Sequence, residues 1–157
     1  MLVVVLDAVV WAGWSLLVGR TQARRSWRAL QPGVAGHIRP WERDGAWYVD
    51  HLALRRWKHR LPEAGSWFGG LSKRRLPSPR QGGLARFEAE CLRAERTHGW
   101  ILAITPVFIV WNPWGLFVAN LGFAVAANVP CWVVARSNRA RLEAVARRRS
   151  GPSRRCT

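Results

Sequence analysis

The chain divides into apolar stretches without charge and arginine-dense stretches. Residues 101–135 read ILAITPVFIVWNPWGLFVANLGFAVAANVPCWVVA and contain no Asp, Glu, Lys, Arg or His. The first 19 residues carry a single charge, Asp7. As one helix, the 35-residue run would extend roughly 52 Å, against a hydrocarbon core of about 30 Å. One span leaves much of it unused. Trp111-Asn112-Pro113-Trp114-Gly115 supplies a break, because Pro113 turns Asn112 away from helix and Gly115 permits a turn. The pattern predicts a helical hairpin with spans 99–112 and 115–135, and Trp111 and Trp114 as interfacial anchors. Leu2 to Gly19 is just long enough for another span. The expected fold class is an all-α integral membrane protein. It has an N-terminal transmembrane helix (1–19), a basic amphipathic cytoplasmic segment (20–98), a C-terminal transmembrane helical hairpin and a basic cytoplasmic tail (136–157).

Charge sets the expected orientation. Arg20, Arg24, Arg25 and Arg28 follow the first apolar stretch, and no basic residue precedes it. The positive-inside rule then puts the N-terminus outside and 20–98 in the cytoplasm. A hairpin returns 136–157 to the same side, where Arg136, Arg139, Arg141 and Arg147 to Arg149 agree. The absence of positive charge before the apolar stretch argues against a cleaved signal peptide and for a retained anchor. The expected location is the cell membrane, multi-pass.

With 25 basic against 9 acidic residues, the formal net charge is +16. An arginine-rich face suits anionic phospholipids. No nucleic-acid-binding signature accompanies it, so nucleic acid is not an expected partner. The length of 157 residues fits one membrane domain and excludes a separate soluble catalytic core. Cys91, Cys131 and Cys156 lack metal-ligand spacing, and neither a metal site nor a disulfide is expected. Pro77 to Gly83 reads as a loop, and the residues after Ser150 as a disordered tail.

The candidate chemistry lies on the helix that enters the hairpin. Over 84–98, LARFEAECLRAERTH, a helical period places Leu84, Phe87, Glu88, Cys91, Glu95 and His98 on one face and Arg93 and Arg96 opposite. Glu95 and His98 are one turn apart. A carboxylate there can hydrogen-bond the imidazole and raise its basicity, as a general base requires. A surface salt-bridge helix with an interfacial histidine is the plainer alternative. The hairpin returns the chain near His98 at Arg136-Ser137-Asn138-Arg139, a cluster able to hold phosphates or a carboxylate. Positive-inside anchoring explains the same arginines. Asn128 lies roughly 10 Å inside the membrane, where an amide is more often a helix–helix contact than a site residue. In 41–70, Trp41, Trp47, Trp57 and Trp67 suggest an interfacial segment. Lys58-His59 before Leu61-Pro62 suits a phosphorylated donor, and amphipathic packing accounts for it equally.

Three segments together resemble the glycosyl-4,4'-diaponeurosporenoate acyltransferase family, small membrane proteins associated with the last step of staphyloxanthin-type carotenoid synthesis. They are Arg56-Trp57-Lys58-His59 with Leu61-Pro62; Glu90 with Arg93-Ala94-Glu95 and His98; and Ala127-Asn128-Val129-Pro130 followed by Arg136, Asn138-Arg139 and Arg141-Leu142. Their order and spacing fit over about 40–142. Ala135, Ser137 and Gly99 depart from the family's pattern.

The resemblance implies transfer of a fatty acyl chain, from acyl-CoA as co-substrate and with no cofactor, to a sugar hydroxyl. The acceptor would be a membrane-embedded glycosyl carotenoid or other glycolipid. His98 and Glu95 would then be base and orienter. Lys58, His59, Glu90, Arg93, Asn128, Arg136, Asn138 and Arg139 would bind donor or substrate. No catalytic serine is evident, so no acyl-enzyme is invoked. The alternative is a non-enzymatic membrane protein, a lipid-binding or assembly subunit.

Overall fold

A computed structural model describes residues 1–33, 36–61 and 83–150, with side chains as far as Arg148. Trp67, the loop reading at 77–82 and the tail from Gly151, including Cys156, lie outside the described residues. Among the described residues there are helices and 3₁₀ turns and no strands.

Three long helices form the frame. Helix α1 (Leu2–Ala23) is apolar on nearly all sides and ends in Arg20 and the polar residues beyond it. Helix α4 (Gly83–Ala103) buries Phe87, Cys91 and Glu95, which belong to the face that the helical period picks out. Helix α5 (Trp114–Ser150) has 37 residues, a length of about 55 Å. Helix α4 packs antiparallel on both neighbours. Trp14 Nε1 donates to Trp100 O at 2.9 Å, and His98 meets Asn128. In the apolar half, Trp11 stacks on Phe108 at 4.9 Å and meets Phe123 edge-on. Val18, Ile101 and Ala124 complete that core.

Helices α1 and α5 are each long and apolar enough to cross a membrane. The first arm of the expected hairpin, 99–112, is not one helix. Helix α4 stops at Ala103, and a 3₁₀ turn at Thr105–Val110 carries the chain onward. The reason is Pro106, which lacks an amide hydrogen and restricts Thr105 before it. The second break falls at Pro113 as expected, with α5 starting at Trp114. Residues 136–150, expected as a tail, continue α5 without interruption. Within α5, Pro130 removes one amide donor from the ladder, that to the carbonyl of Ala126.

The basic end of the bundle is covered by the segment between α1 and α4. It comprises a 3₁₀ turn (Pro40–Gly45), α2 (Ala46–Leu52), α3 (Leu54–Trp57) and a second 3₁₀ turn (Lys58–Arg60). Tyr48 and Leu54 pack on Val133 and Val134 of α5, with Trp47, Trp57 and Trp132 around them. The approach is close. A Cβ on Gly45, whose φ is +84°, would sit 2.8 Å from Ser137 O. Only glycine satisfies both the left-handed backbone and that contact.

Candidate functional site

Polar side chains gather at two levels of an otherwise apolar bundle. At the basic end, α5 buries Arg136 and Arg139, 4% and 0% exposed, against Glu95 of α4. Arg136 Nη1 donates to Glu95 Oε1 and Arg139 Nη1 to Glu95 Oε2, both at 2.6 Å. Glu42 closes the network from the covering segment. It accepts from Arg136 Nη2 at 2.7 Å and Nε at 3.0 Å, from Arg39 N at 2.7 Å and from Tyr48 Oη at 2.8 Å. Backbone carbonyls of His37 and Gly36 accept from Arg136 and Arg139. Burial alone pushes the Glu42 carboxyl up. The hydrogen bonds from Arg136, the Arg39 amide and Tyr48 outweigh it and hold it below the ordinary range. This network pins a segment without long helices onto the bundle.

One turn deeper, His98 Nδ1 lies 2.9 Å from Asn128 Oδ1. The tautomer follows from the amide. Asn128 Nδ2 donates to Ala124 O at 3.0 Å, and a carbonyl only accepts. Oδ1 therefore faces the ring and Nδ1 carries the hydrogen; in the neutral ring the lone pair is then on Nε2. His98 is half-buried while Asn128 is 5% exposed. The imidazole is partly accessible, and its Nδ1 side is held by a fixed amide.

At the opposite end of α1, Asp7 is buried among the apolar helices. It accepts from Trp111 Nε1 at 2.8 Å, Asn112 Nδ2 at 2.9 Å and Asn120 Nδ2 at 2.8 Å. Asn120 Oδ1 in turn accepts from Trp11 Nε1 at 2.9 Å. These groups tie α1 to the turn before α5 and to α5 itself.

The contacts differ from those expected from spacing. Glu95 and His98 share a face, as expected, but the expected contact between them gives way to others. Two guanidinium groups draw both oxygens of Glu95 across to α5, since a charge-assisted bond outcompetes one to a neutral ring. Asn128, not Glu95, lies within hydrogen-bond distance of His98. Arg136 and Arg139, expected open to donor phosphates, are buried and ion-paired instead. Glu90 and Arg93 form a pair at 2.7 Å, and Arg93 also donates to Arg25 O at 2.8 Å. Lys58 and His59 are exposed on the 3₁₀ turn beyond α3, and Asn138 is half-buried on α5.

Sequence reasoning missed Glu42, Tyr48 and the Asp7 cluster. A lone carboxylate in an apolar run is itself a signal that partners must exist, and Asp7 carries it. Glu42 sits in a segment with no periodicity to place it.

The profile of the glycosyl-4,4'-diaponeurosporenoate acyltransferase family matches residues 31–148. A curated glycosyl-4,4'-diaponeurosporenoate acyltransferase of Staphylococcus haemolyticus (strain JCSC1435) is 32% identical over 104 residues. That alignment covers 66% of this chain and 60% of the relative's length. No solved structure matches the chain.

Proposed function

The chain belongs to the glycosyl-4,4'-diaponeurosporenoate acyltransferase family, and from that premise we propose that it is a membrane O-acyltransferase. It moves a fatty acyl chain from acyl-CoA to a sugar hydroxyl of a glycosylated carotenoid or other glycolipid. The N-terminus is outside, and the basic end of the bundle faces the cytoplasm. A lipid-phase hydroxyl and a water-soluble thioester meet there.

The observation that carries the reading is the His98–Asn128 contact, with its amide fixed by Ala124 O. His98 Nε2 takes the proton of the sugar hydroxyl as the oxygen attacks the thioester carbonyl. The new C–O bond forms and the C–S bond breaks. The proton passes from Nε2 to the departing CoA thiolate, which restores the neutral ring. Nδ1–H donates to Asn128 Oδ1 throughout, so the amide also favours the transient imidazolium. Glu95 is a positioning residue. It holds Arg136 and Arg139, and through them the relation of α4 to α5, beside His98 and Asn128. Lys58 and His59, exposed on the covering segment, suit the donor's phosphates. Glu90, Arg93 and Asn138 are assigned to the surroundings of the donor.

The test is acylated glycolipid or glycosyl carotenoid formed in membranes expressing His98→Ala or His98→Gln. Loss of a general base lowers the rate by about 10²–10⁴-fold, with the protein still inserted. Full activity in His98→Ala would remove the mechanism, whereas no acyl transfer by the wild type would favour the lipid-binding or assembly role.

A further inference from the structure

A groove of ≈ 720 Å³ runs along the bundle between α1 and α5, and its two ends differ in chemistry. Asn128 and Ile101 line one end, within a turn of His98. Asp7 and Asn120 lie toward the other, joined by their 2.8 Å hydrogen bond, with Val4 and Leu116 one turn beyond them. The stretch between is apolar. Ala12 and Ala127 leave space, and Trp11 and Phe123 form the wall. Along α5 the lining reaches from Leu116 to Asn128, about 18 Å at the helical rise, of which about 12 Å separate Asn120 from Asn128. One leaflet of hydrocarbon is about 15 Å deep, half of a bilayer core.

We propose that this groove holds the acyl chain of the donor and measures its length. The inference rests on the acyl-transfer reading above. The reactive carbonyl sits beside Asn128 and His98, and the chain lies along α1 and α5 with its terminal methyl at Ala119 and Asn120. A longer chain would push methylenes onto the Asp7 carboxylate and the amides that hold it, which disfavours it. A span that fits within a single leaflet, the base near one end and the polar groups toward the other select a flexible acyl chain. A rigid polyene long enough to cross both leaflets would overrun the stop.

Two measurements on the full chain in lipid membranes test this. Transfer is assayed with saturated acyl-CoAs of graded length for the wild type, Ala119→Phe and Val118→Phe. Val118 is exposed on α5 outside the groove. Filling the outer end at Ala119 is expected to move the preferred length downward. The ratio of long-chain to short-chain transfer should fall at least about tenfold, since one surplus methylene is worth that much in a fitted pocket. Val118→Phe should leave the profile in place. An unmoved profile in Ala119→Phe, or an equal shift in Val118→Phe, overturns the proposal.

The second measurement needs no turnover and uses the wild type. A fatty acyl-CoA with a diazirine at its chain terminus should crosslink within 4–12 or 116–123. Crosslinks confined to other helices overturn the groove. Absence of acyl transfer with every donor would defeat the enzymatic reading alone, and the crosslink would still decide the groove.

Discussion

Glu42→Ala should be the most destabilising single truncation in the covering segment. Glu42 is 0% exposed and accepts from Arg136, Tyr48 and the Arg39 amide. Removing one partner of a buried ion pair costs about 3–5 kcal/mol, because the remaining charge is left uncompensated. Arg136 keeps Glu95 and the His37 carbonyl, which argues for the lower end. The Tyr48 hydroxyl and the Arg39 amide lose their acceptor at the same time, which moves the value to about 4–5 kcal/mol. For a chain of this size that is a fall in Tm of about 8–20 °C. The assay is thermal unfolding of the detergent-purified protein, read as loss of the monodisperse peak on size exclusion. Glu143→Ala serves as the comparison, since Glu143 is only half-buried and its pairs with Arg139 and Arg147 should contribute at most about 1 kcal/mol. A Glu42→Ala shift no larger than that of Glu143→Ala would refute the clamp.

Further outcomes follow from the same contacts. Asn128→Leu should cut acyl transfer by about tenfold or more, through loss of the acceptor at Nδ1; a Tm near that of the wild type separates this from misfolding, and undiminished activity would return Asn128 to a helix-packing role. Asp7→Leu should loosen α1 by about 1–3 kcal/mol, the penalty of leaving the donors on Trp111, Asn112 and Asn120 without their acceptor; accelerated proteolysis near the N-terminus measures it. The pH dependence has a defined sign. Glu42 is held below its ordinary value of 4.5, so its contribution is present above that value and is lost as pH falls toward its folded value. Glu88 is pushed up, first by burial and then by Glu143, against Arg139, so its contribution runs the other way and is lost as pH rises through its raised value. In Glu88→Gln the acid limb should therefore persist, read from Tm between pH 7 and pH 3.

The frame was legible because it is written in charge and period. The charge-free runs specify α1 and α5, and the spacing of Leu84, Phe87, Cys91 and Glu95 specifies the buried face of α4. The site was legible only as a neighbourhood. A spacing of three puts Glu95 beside His98, but it says nothing of Arg136 and Arg139 approaching from another helix with a stronger claim on the carboxylate. The depth of Asn128 points to a helix–helix contact, and its partner on the facing helix is the histidine. Thr105-Pro106 was overlooked inside a longer apolar run, which made the first arm of the hairpin look more regular than it is. Glu42 could not be placed, because its ion-pair partner Arg136 lies 94 residues along the chain and a 3₁₀ turn leaves no periodic trace.

Pro130 has a consequence for how the working parts could be watched. Its missing amide leaves the turn around it one hydrogen bond short, and contacts to α4 lie on both sides of that turn, at Asn128 and at Arg136. Opening there requires releasing both. The backbone amides of 131–134 should therefore exchange with deuterium slowly while the two contacts stand, faster once one is cut and fastest once both are. A short peptide from the middle of α5 would then report on the alignment of His98 without any substrate present.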